Sequence, residues 1–139
     1  MNLKDDKVLS VFLWLIALHS FLVGIGLVLL PSDIFQFLGF KSNIDRFFST
    51  QGGVFHIAMA VCYSMAAYDS KKYNALTQFS IIVKFIASIF LIPYYFFVSS
   101  RLLIIISGIS DLLMAVILLS LILIQKNISV TRSFNEKSV

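Results

Sequence analysis

Charge is scarce in this chain. Asp, Glu, Lys and Arg make up 13% of its 139 residues, about half the share in a soluble chain, so a water-exposed globular surface is excluded. A single cysteine, Cys62, excludes an internal disulfide and any Cys-rich metal or redox centre, and two histidines leave almost nothing for a metal site. There is no His-Glu-x-x-His, phosphate loop, nucleophile-base pair or nucleic-acid motif. What the chain has in excess is hydrocarbon: 59% of residues are hydrophobic and 14% aromatic, and the mean hydropathy of +0.94 reflects long apolar runs. The chain therefore belongs in a bilayer, with membrane lipids as its first partners. The net charge of +4 records membrane topology rather than an affinity for nucleic acid.

A span needs roughly 20 apolar residues at about 1.5 Å each. Four stretches qualify: Val8 to Leu30, Phe47 to Tyr68, Asn74 to Val98, and Leu102 to Ile124. The first is too long for the core of a signal peptide, lacks a small-x-small cleavage site and runs into Pro31, so it is expected to stay in the mature protein. Between spans one and two, Ser32 to Phe40 offers a helix-initiating Ser-Asp pair followed by too few apolar residues to cross, which predicts a short interfacial helix. Asp69 to Tyr73 is a tight polar turn that makes spans two and three antiparallel neighbours. Pro93, beside Tyr94 and Tyr95, predicts a kink or helix end in the aromatic belt. After Ile124 the tail reads as polar and frayed. The expected fold is all-α, an integral membrane bundle of four transmembrane helices in one domain.

Orientation follows from the basic residues. Lys4, Lys7, Lys71, Lys72, Lys126, Arg132 and Lys137 share one side of a four-span chain, while Lys41, Arg46 and Arg101 share the other. Seven against three places both termini in the cytoplasm. The sequon Asn127-Ile128-Ser129 would then go unused.

Each span carries a polar residue near its midpoint: His19, His56, Lys84 and Asp111. Lys or Asp in hydrocarbon costs on the order of 2.5 to 3.5 kcal/mol on insertion scales, so such placement calls for partners. Once alternate spans are reversed, all four residues fall within about 3 Å of the midplane. Lys84 and Asp111, on adjacent spans, are the leading ion-pair candidates. Mostly small and hydroxylated residues share their faces: Ser49, Gly53, His56, Ala60, Ser64 and Ala67 on span two, and Thr77, Ser80, Lys84, Ala87 or Ser88, and Leu91 on span three. Ser107, Gly108, Asp111 and Ala115 form the face on span four, and Ser20, Gly24 and Gly26 accompany His19. Gln51-Gly52-Gly53 precedes His56 by one turn and suggests close backbone approach, a local break or room for a ligand.

Two readings of these residues stand side by side. Lys84 and Asp111 are either a clamp that selects which helices pair, or groups that exchange a proton or capture a charged headgroup. His56 is either a neutral imidazole bonded to a neighbouring span or part of a site with His19, Lys84, Asp111 and Gln51. His19 and His56 could also ligate a b-type haem, although Lys84 and Asp111 then have no part. Cys62 reads as a small buried hydrophobe.

The Gly24-Ile25-Gly26-Leu27 segment ending in Pro31, Gly52-Gly53 near the start of span two and Ser110-Asp111-Leu112 late in span four resemble the small bacterial four-span proteins of the DoxX-like and BphX-like families. The resemblance implies an integral protein of the bacterial inner membrane, sometimes associated with partner proteins. It carries over no site residue. Three functions are expected from residues and resemblance together: a midplane site for a small or lipid-like ligand or for proton handling, a non-catalytic accessory subunit associating with itself or a membrane partner through Phe-rich faces, and an intramembrane acid-base enzyme acting on a lipid-like substrate.

Overall fold

A computed structural model describes the backbone of residues 3–39 and 46–137, and the side chains of 7–39 and 46–127. Its elements are α1 (Leu3–Leu29), α2 (Ser32–Phe37), α3 (Arg46–Tyr68), α4 (Asn74–Phe97) and α5 (Leu102–Lys137), with no strand among the described residues. All-helical structure is the expected answer to this composition, because a helix satisfies its backbone groups within one segment and needs no water to do so. Among the described residues three helices are long and apolar enough to cross a membrane: Lys7–Leu29, Asn74–Phe97 and Leu102–Asn127. α3 matches the expected second span in position. With Arg46, Gln51, His56 and two glycines in its length, it is not among those three.

Helix ends follow local chemistry. Pro31 cannot continue α1, and Arg46 at the start of α3 donates to the freed carbonyls of Val28 (3.1 Å) and Leu30 (3.0 Å). A cation at a helix C-terminus also complements the helix dipole. Asp69 accepts the backbone N–H groups of Lys71 (3.2 Å) and Lys72 (2.9 Å), which closes the turn between α3 and α4. Pro93 lies inside α4, and the helix ends one turn later at Phe97.

Two expectations are corrected. The capping position of α2 is Pro31 and not Ser32, no side chain caps it, and the helix stops at Phe37. Gly39, at φ +87°, takes the left-handed conformation that turns the chain there. Phe40, the last residue of the expected interfacial helix, lies outside the described residues, as do Lys41 and Ser138. The second correction concerns the tail. The residues after Ile124 do not fray but extend α5 to Lys137, since nothing from Gln125 onward, neither Gly nor Pro, breaks the helix.

The four long helices touch in the cyclic order α1, α3, α4, α5, with the closest association inside the pairs α1–α3 and α4–α5. In the first pair the register is set at two points. Gly24 meets Gly53, where a Cβ on either residue would fall 2.7 to 2.8 Å from the other's carbonyl oxygen. Ser10 Oγ donates to Ala67 O at 2.6 Å. Fourteen residues separate the two contacts on each helix, so α3 runs antiparallel to α1 for about 21 Å at 1.5 Å per residue. The apolar core lies toward the end bearing the 69–73 turn. It comprises Leu9, Leu13, Ile16, Ala17, Tyr63, Ala66, Ala67, Ile81 and Leu118.

Candidate functional site

Above that core, about halfway along the helices, the interior turns polar. Lys84 Nζ on α4 lies 2.5 Å from Asp111 Oδ1 on α5, the ion pair that the depth of the two residues predicts. The same ammonium sits 5.7 Å from the centroid of the Tyr63 ring on α3, within the range at which an aromatic face attracts a cation. Lys84, Tyr63 and Asp111 are all buried. Three helices thus converge on one charge. Tyr63 is absent from the small-residue face expected on α3, although its spacing of seven from His56 puts both on one side of the helix. An aromatic at that position reads as lipid-facing bulk when no partner cation is in view.

His19 on α1 and His56 on α3 are half-buried beside this pair. Neither histidine forms a hydrogen bond among the described residues. Ser20, next to His19, is fully buried.

The buried hydroxyls do not extend the site. Ser80 donates to Leu76 O (2.7 Å), Ser88 to Phe85 O (2.9 Å) and Thr77 to Tyr73 O (3.4 Å), each within its own helix or its first turn. Bonding back to the preceding turn is how such residues tolerate an apolar interior. Gln51, expected near the ligand, is exposed and outside the cluster. The glycines divide as well. Gly24, Gly53 and Gly108 sit at tight helix contacts, whereas a Cβ at Gly26 would meet only Leu30 of its own helix at 3.5 Å and one at Gly52 only Leu27 at 3.9 Å. α3 runs unbroken through Gly52-Gly53, so close approach, and not a break, accounts for Gly53.

The chemistry available is that of an incompletely used pair. An ammonium has three donors and a carboxylate about four acceptor sites. The bond between them uses one of each. The Lys84 side chain retains 3% of its surface and that of Asp111 9%, which makes the carboxylate the more approachable partner. The apolar core closes the interior toward the turn, and toward α2 the buried residues include the helix-contact glycines Gly24, Gly53 and Gly108 together with Ile104 of α5. Among the described residues no three His, Cys, Asp or Glu side chains gather to hold a metal ion. A haem between His19 and His56 would have to hold α1 and α3 apart, and these backbones touch within about a turn and a half of both histidines.

Comparisons with protein-family models, with characterised proteins and with solved structures find no match to the chain.

Proposed function

We propose that the chain is a four-span integral protein of the bacterial inner membrane, a bundle with cytoplasmic termini and DoxX-like character. Its polar layer of Lys84, Asp111, His19 and His56 is a site for a small or lipid-like ligand or for proton handling. The observation that carries this reading is the buried Lys84–Asp111 pair with unused donors and acceptors, flanked by two half-buried imidazoles. A pair serving only as a clamp has no use for titratable neighbours from the other two helices.

α3 is the fourth span. α3 is 23 residues long and lies along α1 between the Gly24–Gly53 and Ser10–Ala67 contacts. Where α1 crosses, α3 crosses with it. Gly53, Ala60, Tyr63, Ala66 and Ala67 of α3 face protein, His56 is half-buried, and the exposed Arg46 and Gln51 lie in the first two turns, toward the end of the span. Topology is tested in a Cys62→Ser background. A cysteine at Ser32, the first residue of α2, should react with an impermeant reagent in intact cells, and one at Ser70, in the turn, should not. Labelling at both positions would remove α3 from the membrane.

Function is tested by purifying the wild-type chain and the Lys84→Met/Asp111→Leu double variant in parallel. A stoichiometric small molecule or lipid, or proton flux across reconstituted vesicles, should be present with the first and absent with the second. If the two preparations behave alike, the pair is a clamp; a stoichiometric partner protein retained by both would favour an accessory subunit.

A further inference from the structure

A second feature lies on the outer surface of the α1–α3 pair, away from the ion pair. There the two helices form an open apolar groove of 530 Å³, a volume within the range of about 300 to 1,000 Å³ that ligand sites occupy. Its origin is local. Ala17 and Ala60 are buried where the helices meet, and both are too short to fill the space between the larger side chains around them. Trp14 and Phe21 of α1 and Val61 and Met65 of α3 stand as walls and remain exposed. The groove runs from Ile57 to Tyr68 along α3, about 17 Å at 1.5 Å per residue, close to the half-thickness of a hydrocarbon core of about 30 Å.

The end of the groove carries three lysines against one described carboxylate, Asp69, which accepts the turn's own N–H groups. Tyr68 and Tyr73 close it on either side of the 69–73 turn, and Lys72 Nζ lies 5.3 Å from the centroid of the Tyr73 ring. Lys71 and Lys72 are exposed in that turn. Lys7, also exposed, is seven residues before Trp14 and therefore on the same face of α1. Apolar walls one leaflet long, ending in tyrosines and three lysines, complement one kind of molecule.

We propose that this groove is a binding site for an anionic phospholipid of the leaflet on the turn side, one acyl chain lying over Ala17 and Ala60 and the phosphate held by Lys71 and Lys72. The inference needs α1 and α3 to lie in the membrane and is independent of the Lys84–Asp111 site. Trp14, the single tryptophan of the chain, lines the groove and serves as its reporter.

The full chain is reconstituted in phosphatidylcholine vesicles containing a small fraction of lipid with brominated acyl chains, which quench tryptophan on contact. Brominated phosphatidylglycerol should quench Trp14 far more than brominated phosphatidylcholine at the same fraction. Two lysines near the surface correspond to a preference of about thirtyfold. The surface variant Lys71→Gln/Lys72→Gln should bring that preference close to one with the fold intact. Ser64→Leu, which fills the groove and leaves the lysines in place, should lower quenching by brominated phosphatidylglycerol. Equal quenching by both lipids in the wild-type chain would overturn the proposal while leaving α1 in the membrane. Absence of quenching by either would overturn the proposal and the membrane placement of this face together. Crosslinking of Trp14→Cys chains to each other in place of lipid quenching would assign the groove to a second copy and overturn the lipid site.

Discussion

The two helix pairs are held together by different means. α1 and α3 meet backbone to backbone at Gly24 and Gly53, with the Ser10 hydroxyl bonded to Ala67 O and no ion pair between them among the described residues. α4 and α5 meet around Gly108, whose absent Cβ would touch the Ile92 side chain at 3.0 Å and the Leu91 Cβ at 3.1 Å, and are joined by Lys84–Asp111. In lipid, which is as apolar as leucine, hydrophobicity would drive neither pair together. One pair relies on close packing, the other on a charge that must be matched. The less apolar α3 takes the packing solution, which gives it the longest shared contact in the molecule, while the strongly apolar α4 and α5 accommodate the charges.

The largest effects are expected where the charge is unmatched. Lys84→Met or Asp111→Leu alone strands one charge in the interior and should cost about 3 to 5 kcal/mol, seen as a sharp loss of folded protein and a lower unfolding temperature in detergent. Next is Gly53→Ala. Its Cβ would lie 2.7 Å from Gly24 O, a backbone atom that cannot swing aside, so a cost of about 1 to 3 kcal/mol is expected. The neighbouring Gly52→Ala meets only Leu27 Cδ1 at 3.9 Å and should be neutral or stabilising by up to about 1 kcal/mol through helix propensity. Equal costs at Gly52 and Gly53 would contradict the packing of α1 on α3. Gly108→Ala should fall below Gly53→Ala in the same thermal measurement, because the atoms it meets most closely belong to side chains. The smallest effect is expected for Ser10→Ala, about 0.6 kcal/mol for an interhelical hydrogen bond in a membrane. A much larger value would mean that this bond, and not the glycine contact, sets the register.

Much of this arrangement is legible from sequence. Hydropathy runs place the helix ends of α3 and α4 and the C-terminus of α1 within one or two residues, helped by Pro31 after α1 and the Asp69 turn between α3 and α4. Equal depth on adjacent antiparallel helices is enough to pair Lys84 with Asp111, since each charge has few other partners to reach. Other features depend on rotation about the helix axis, which composition constrains weakly. Gln51 sits two residues from Gly53 and so turns to the opposite side of α3. Gly26 misses the contact that Gly24 makes for the same reason. Tyr63 is hidden by the habit of assigning aromatics to lipid, and its burial follows from a cation on another helix. The extension of α5 to Lys137 escapes hydropathy altogether, because a helix continues into polar sequence when no residue stops it.

The interdependence of Lys84 and Asp111 is the point on which the polar layer stands, and thermal unfolding of Lys84→Met, Asp111→Leu and the double variant in one detergent measures it most directly. Removing both charges removes both desolvation costs, which typically leaves such a pair near neutral. The double variant should therefore recover most of the stability that either single substitution loses. If the two losses instead add in the double variant, the residues do not support each other, and the polar layer joining α4 to α5 is not as described.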